Sequence, residues 1–189
     1  MKRTIRRQRM MPGLVIATLA ATLATFAGAA PAHAATCTVN GVSQTGQYIN
    51  GTAGDDIITC GAISETQNVK GLDGNDTITT GDVTGGGVNG GGGNDTITTG
   101  PIAPGMLLGG KLFGDTGDDI LRTPSVRSIL IPPYYSQRSS IYAGPGNDTI
   151  DGTTLGTPVV VEGGSIVSGG TGIDSCNVSH IANPALECE

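Results

Sequence analysis

Aspartates recur at a fixed place in a repeated nine-residue motif, and they are the side chains of this chain best placed to do chemistry. The clearest copy is GLDGNDTIT at residues 71–79, with Gly at its fourth position and Asp at its sixth. Tight glycine turns point backbone carbonyls inward, and carboxylate and carbonyl oxygens are the ligands that Ca²⁺ prefers. The motif therefore predicts a cation site. Six copies place the aspartates at Asp56, Asp76, Asp95, Asp119, Asp148 and Asp174, and the glycines at Gly54, Gly74, Gly93, Gly117, Gly146 and Gly172.

Each motif also carries the strand that must hold its aspartate in place. The eighth position is apolar in all six copies and is flanked mainly by Thr, Ser and Ile, which favours a minimal strand with one side chain directed inward. One such unit cannot bury its apolar side alone, so it must stack on copies of itself. A flexible Gly/Asn/Asp-rich linker is the alternative, but a linker does not require an aliphatic residue two places after each aspartate. The eighth-position residues are Ile58, Ile78, Ile97, Leu121, Ile150 and Cys176.

This pattern resembles the RTX, or hemolysin-type, calcium-binding nonapeptide repeat over about residues 51–177. The resemblance implies an all-β fold, a right-handed parallel β-roll or β-solenoid, with Ca²⁺ between successive loops. In that family the nonapeptides stand in tandem, two to a coil. Here the aspartates are 19 to 29 residues apart, so we expect one motif per coil, all on one edge.

We expect the variable sequence between motifs to form the opposite edge of each coil. Short apolar stretches there predict one further strand for each coil. They are Ile63, Val83 with Val88, residues 106–108, residues 128–131, residues 159–161, and residues 166–167.

Residues 1–34 read as an export signal. A basic start precedes an apolar run from Leu14 to Ala30, and Ala32-His33-Ala34 fits a small-x-small cleavage site. We predict cleavage after Ala34 and an extracellular protein with no membrane span. A retained anchor is the alternative, and the choice between general and twin-arginine export stays open.

The charge distribution limits the classes of partner that this protein can bind. Residues 1–34 hold five of the ten basic residues and none of the 16 acidic ones, so the rest of the chain has a formal charge of −11. Such a charge disfavours nucleic acid and anionic membranes as partners, because they are also negative, and it favours cations. Eleven of the 12 aspartates lie inside the six motifs, where calcium would be bound.

Four cysteines follow the signal, an even number that predicts two disulfides in an exported protein. Six layers spaced about 4.8 Å apart give a stack roughly 24 Å long from the first layer to the last. A disulfide needs Cα atoms within about 7 Å, so the two ends cannot be joined. We predict Cys37–Cys60 and Cys176–Cys188, one at each end. A zinc site is the alternative, but only His180 follows the signal and there is no CxxC.

Residues 122–142 differ from the rest of the repeat region. They carry three of the five basic residues that follow the signal, three of the four tyrosines, and Pro132-Pro133. We interpret them as an insertion between coils, either a solvated loop or a binding loop, because exposed Tyr and Arg are favoured at interfaces. The candidate partner-binding residues are Tyr134, Tyr135, Arg138 and Tyr142.

The predicted organisation is a signal at 1–34, an N-terminal cap at 35–50, the β-roll at 51–177 and a disulfide-closed cap at 178–189. The function that fits is a secreted calcium-binding protein with a structural or adhesive role, whose folding is coupled to Ca²⁺. A cell-surface or carbohydrate partner is possible.

Two alternatives remain at this point. No HExxH or GxSxG is present and the repeats fill the chain after the signal, so we expect no enzyme, although β-solenoids can bind or cleave carbohydrate. Thr-x-Thr at residues 77–79 and 96–98 is also typical of ice-binding solenoids, but the other motifs lack it.

Overall fold

Short strands joined by tight corners form nearly all of the computed structural model, which describes residues 35–131, 135–180 and 185–188. The predicted export signal lies outside these residues. Among the described residues, no helix is long and apolar enough to cross a membrane. The first eleven strands are β1 (Thr36–Val39), β2 (Val42–Thr45), β3 (Tyr48–Asn50), β4 (Ile57–Cys60), β5 (Asn68–Asp73), β6 (Thr77–Thr79), β7 (Val83–Thr84), β8 (Gly87–Gly92), β9 (Thr96–Thr98), β10 (Ile102–Ala103) and β11 (Lys111–Thr116). The others are β12 (Ile120–Arg122), β13 (Ser125–Arg127), β14 (Ile129–Ile131), β15 (Tyr135–Gln137), β16 (Ser140–Pro145), β17 (Thr149–Asp151), β18 (Val159–Glu162), β19 (Ile166–Thr171), β20 (Ser175–Cys176), β21 (Val178–His180) and β22 (Ala185–Glu187).

Three sheets run along the stack. Sheet A has the order β2-β1-β4-β6-β9-β12-β17-β20, sheet B the order β3-β5-β8-β11-β16-β19-β22, and sheet C the order β7-β10-β13-β18-β21. The chain passes from B to A to C and back to B, so strands of successive coils pair in parallel. This confirms the predicted parallel β-solenoid with one motif per coil.

The sequence predicted two strands per coil, the motif strand and one other, but a coil has three. Val83 and Val88 belong to different strands, because Val83 lies in sheet C while Val88 lies in sheet B. Apolar residues separated by a corner cannot be assigned to one strand or two from their types alone. Residues 106–108 form no strand, and Met106 and Leu107 are 86% and 79% exposed.

The core is three rows of aliphatic side chains, one row for each sheet, stacked layer on layer. Parallel register aligns them, as in Ile58↔Ile78↔Ile97 of sheet A. Burial of one such side chain contributes about 1.5–3 kcal/mol. The row of sheet A is Ile58, Ile78, Ile97, Leu121 and Ile150; that of sheet B is Ile49, Val69, Val88, Leu112, Ile141 and Val167; that of sheet C is Ile63, Val83, Ile102, Val126 and Val161.

Each end of the stack has its own structure. At the start, β1 pairs antiparallel with both β2 and β4, and this pairing places Cys37 opposite Cys60. Disulfides join Cys37 to Cys60 and Cys176 to Cys188, which is the predicted pairing.

Residues 122–142 contain regular structure. Ser125–Arg127 is the sheet C strand of its coil, and Arg127 Nε lies 3.1 Å from Glu162 Oε2. The residues beyond the regular coil form an antiparallel hairpin of β14 and β15. Tyr142 belongs to sheet B, where its ring stacks on that of Phe113.

Candidate calcium centre

The six motifs occupy one corner of the solenoid, where the chain turns from sheet B into sheet A. Positions one to three end or follow a sheet B strand, and positions seven to nine form the sheet A strand. The sixth-position aspartates therefore stack along the corner on the inner side of the turn. Asp56, Asp76, Asp95, Asp119 and Asp148 are each 1% exposed, and Asp174 is partly buried.

A ladder of hydrogen bonds links these aspartates from coil to coil. The backbone N–H of each donates to Oδ1 of the aspartate in the following coil, as from Asp76 to Asp95 at 2.8 Å. The other links are Asp56 to Asp76, Asp95 to Asp119 and Asp119 to Asp148, each 2.8 Å, and Asp148 to Asp174 at 3.0 Å. The ladder holds one carboxylate oxygen in place and leaves the other free to bind something else.

That second oxygen has no partner in four of the corners. Oδ2 of Asp76, Asp95, Asp119 and Asp148 is buried without a hydrogen bond. A buried carboxylate oxygen without a partner costs free energy, and native proteins rarely retain one. Four at equivalent positions indicate a ligand that is common to all of them.

Electrostatics point to a cation. Burial raises the pKa of Asp119 to about 7 and that of Asp95 to about 6, and the carboxylates of neighbouring coils add to the effect. The pKa values of Asp76 and Asp148 are raised too, first by burial. The site thus disfavours its own negative charge, and a cation would remove that penalty.

The first position of the motif forms the other side of the site. A Cβ built on Gly71 would collide with Oδ2 of Asp76 and with the carbonyl oxygen of Gly90, in the next coil. Gly114 stands in the same relation to Asp119 and to the carbonyl of Ala143. Glycine is thus needed at these two positions because a carboxylate oxygen and a carbonyl oxygen of the following coil converge on that space.

Backbone conformation at the second and fourth positions turns the loop around this space. In the second to sixth motifs both positions have φ between 73° and 154°, which suits glycine. Two residues other than glycine adopt this conformation, Leu72 at 89° and Asp115 at 73°. The residues are Leu72 with Gly74, Gly91 with Gly93, Asp115 with Gly117, Gly144 with Gly146, and Gly170 with Gly172.

A second ladder, at the fifth position, was missed by the sequence reasoning. Oδ1 of Asn75 accepts from the backbone N–H of Asn94 at 2.7 Å, and Oδ1 of Asn94 from that of Asp118 at 2.9 Å. This ladder runs opposite to the first, because each fifth-position side chain accepts from the coil that follows. The signal was present, since the fifth position is Asn or Asp in five of six motifs and Ile173 in the last. Ile173 accepts nothing and is 82% exposed.

The donor set fits Ca²⁺. It offers only oxygens, carboxylate and carbonyl, on a turn that repeats from coil to coil, and Ca²⁺ takes six to eight such ligands. The residues that would hold the ion are the sixth-position aspartates whose Oδ2 has no partner, Asp76, Asp95, Asp119 and Asp148, together with carbonyls of the glycine turns.

Fold and corner together define a β-solenoid protein with a line of candidate cation sites along one edge. Four segments of the chain, residues 46–62, 66–82, 88–101 and 137–154, match the RTX calcium-binding nonapeptide repeat. The matched repeat is the one that the sequence predicted, and repeats of this type bind Ca²⁺. The motifs at 114–122 and 169–177 lie outside the matched segments, and the structure places them in the same corner. Comparisons with curated proteins and with solved structures found no match.

The candidate partner-binding residues that the structure describes lie on more than one element. Tyr142 lies on sheet B and Arg138 is exposed at the end of the hairpin. Tyr135 lies in β15, and Tyr134 is outside the described residues.

Proposed function

We propose that this protein is an exported, non-catalytic calcium-binding solenoid with a structural or adhesive role, whose folding is coupled to Ca²⁺. The observation that carries the proposal is the row of four buried, unpartnered Oδ2 atoms at Asp76, Asp95, Asp119 and Asp148. Without a cation, successive carboxylates repel each other along the corner. A core of only one aliphatic side chain per strand does little to offset that repulsion. With a cation, the same carboxylates hold successive coils together, so binding and folding become one equilibrium.

Export is supported by the cysteine pairing. Both disulfides persist only in an oxidising compartment, and extracellular calcium suits sites of micromolar to millimolar affinity. Mass spectrometry of the exported protein tests the predicted cleavage after Ala34. A mature chain that begins elsewhere contradicts that boundary.

Calcium titration followed by circular dichroism tests the coupling. The chain from Ala35 in excess EDTA should show little β-signal, and added CaCl₂ should restore it cooperatively, whereas MgCl₂ at equal concentration should not. A full β-signal in EDTA contradicts the proposal.

A groove on the outer face of sheet B favours carbohydrate as the adhesive partner. Three outward positions of β8 are Gly87, Asn89 and Gly91, so this strand presents one side chain between β5 and β11. The resulting space of about 590 Å³ is lined by Lys70, Leu72, Asp73, Asn89, Asp115 and Thr116, among others. Phe113 borders a smaller adjoining space together with Asn68 and Lys70. An aromatic ring beside amides and charged groups is suited to the apolar face and hydroxyls of a sugar.

Two glycines, Gly92 in the groove and Gly87 in the adjoining space, are not required by the fold. A Cβ on Gly87 would meet only the flexible Asn68 side chain, and one on Gly92 would lie 3.3 Å from Asp73 Oδ1. Neither residue has a positive φ, and their neighbours in register carry side chains. An open groove for an extended glycan gives a reason for glycine at both places.

Filling the groove tests this partner. Hexasaccharides of β-1,4-linked glucose, N-acetylglucosamine and α-1,4-linked galacturonate serve as probes in calorimetry with the calcium-loaded protein. Gly87→Thr and Gly92→Thr should weaken binding at least tenfold. Gly61→Thr is the matched control, since nothing lies within 4 Å of its Cβ position. Failure of all three probes contradicts the carbohydrate proposal and leaves calcium binding unaffected.

The outward threonines of sheet A do not extend the proposal to ice binding. Thr77 and Thr79 lie beside Thr96 and Thr98 in register, but the next strand places Ile120 and Arg122 in the same rows.

A further inference from the structure

The first corner of the stack, residues 51–59, differs from the other five in its backbone. Its second and fourth positions are Thr52 and Gly54, and neither has a positive φ, whereas both positions do in every later motif. The carbonyls of this turn are therefore oriented differently. The difference is not visible in the motif itself, and the segment 46–62 matches the RTX repeat, as three later segments also do.

The carboxylate of the first corner is also the one whose oxygens are both occupied. Oδ2 of Asp56 accepts from the backbone N–H of Thr52 at 2.5 Å and from its hydroxyl at 3.1 Å. In the next four corners the equivalent oxygen has no partner. Two donors aimed at the oxygen present partial positive charge where a cation would have to lie.

Oδ1 of Asp56 is occupied by a residue from the N-terminal hairpin. In later corners this oxygen accepts from the N–H of the preceding aspartate, but no coil precedes the first. Asn40 Nδ2 donates to it instead. The same residue accepts from the N–H of Ile57 at 2.9 Å through its Oδ1, and donates its own N–H to the carbonyl of Ile57 at 2.9 Å. Asn40, with φ of 51°, thus stands in for the missing coil.

We propose that the first RTX motif binds no calcium and is instead a cap, in which Asn40 and Thr52 saturate Asp56. The chain then binds four ions, one between each pair of successive loops from the second motif to the sixth. This inference rests on the proposed function, because it assigns which loops hold Ca²⁺. The Cys37–Cys60 disulfide joins the two strands that flank this cap. The N-terminal end therefore folds without the ion and offers a surface on which the calcium-dependent coils assemble.

Native mass spectrometry and calorimetry of the exported chain with CaCl₂ as the probe test the count. The wild-type protein should bind four ions. Asp56→Asn should still bind four with affinity unchanged within twofold, whereas the matched variant Asp95→Asn should lose at least one ion. A count of five, or loss of an ion in Asp56→Asn, overturns the inference but leaves calcium binding intact. No bound ion in any variant overturns the proposed function itself.

A gain-of-site variant keeps the test independent of how well Asp56→Asn folds. The double variant Asn40→Ala, Thr52→Gly removes the Asn40 amide and the Thr52 hydroxyl. The N–H of residue 52 stays in the chain, but glycine permits a positive φ there, and in the second to fifth motifs that backbone leaves Oδ2 without a partner. We expect five bound ions. A count that stays at four shows that these donors do not exclude the ion, and overturns the assigned cause.

Discussion

The backbone N–H of Asp95 donates a 2.8 Å hydrogen bond to Oδ1 of Asp119, 24 residues later in the chain. The bond aligns two carboxylates whose like charges would otherwise drive them apart. It also fixes which oxygen of Asp119 remains available, because Oδ2 is then the atom without a partner. The same relation repeats up the stack, so one carboxylate cannot be changed without affecting its neighbours.

Loss of a central aspartate should weaken calcium-induced folding more than loss of the last one. Asp95 has a carboxylate on each side in the ladder, whereas Asp174 has only Asp148 and is partly exposed. We expect Asp95→Ala to raise the calcium concentration at the folding midpoint about tenfold, which corresponds to about 1.4 kcal/mol. Asp174→Ala should raise it less than threefold. Circular dichroism during CaCl₂ titration measures both, and equal effects contradict the ladder as the coupling element.

Acid should stabilise the calcium-free protein. The folded-state pKa values of Asp95 and Asp119 are raised, to about 6 and about 7, so the folded chain holds protons more tightly than the unfolded chain. Folding stability in EDTA therefore falls as the pH rises from about 4 to about 7, and is regained on acidification. We expect the β-signal of the protein in EDTA, small at pH 8, to grow as the pH is lowered to 5, as measured by circular dichroism.

The calcium-loaded protein should respond in the opposite direction, because protons compete with the ion for the same carboxylates. Asp119→Asn is the control for the EDTA measurement, since it removes the most strongly shifted group and should flatten the pH dependence. A wild-type β-signal in EDTA that does not change with pH would show that the buried carboxylates do not control folding of the calcium-free chain.

Alanine at Gly90, the first position of the third motif, should be harmful out of proportion to its size. A Cβ on Gly90 would collide with the carboxylate of Asp95, whereas one on Gly61 meets nothing within 4 Å. We expect Gly90→Ala to cost about 1–3 kcal/mol through overpacking and to reduce calcium affinity at least tenfold. Gly61→Ala should be neutral within about 0.5 kcal/mol. Similar behaviour of the two variants in urea and calcium titrations would show that the space beside Asp95 is not constrained.

Limited trypsin digestion of the calcium-loaded protein should cut first at Arg138. This residue is exposed at the end of the β14–β15 hairpin, outside the regular coil, and such sites are cut preferentially. Arg127 lies in a strand of sheet C and pairs with Glu162, so it should be cut later. Lys70 and Lys111 lie in sheet B and should also be protected. First cleavage at either lysine contradicts this order, and mass spectrometry of the early fragments identifies the site.

The candidate cation site could be located from the sequence because its requirements are local. Glycine at a left-handed position, a carboxylate two residues later and an aliphatic residue two after that are properties of nine consecutive residues, and Asp76 with Gly74 and Ile78 shows all three. The disulfides could be predicted because the length of a stack excludes every pairing across it. The fifth-position ladder was as visible, but side chains such as Asn75 and Asn94 are common in turns, and their type alone does not tell which coil they contact.

By itself, then, the sequence determined the repeat, its Ca²⁺ chemistry, the parallel stacking and the cysteine partners, since each depends on residue type and spacing. The tertiary structure alone decided that a coil has three strands, because the corner between Val83 and Val88 depends on how the chain packs on its neighbours. It also decided which partners Asp56 has, although the motif of Asp56 resembles the others. Its partner Asn40 lies 16 residues earlier, in a hairpin without the motif, and only folding brings that amide to the carboxylate in place of a cation.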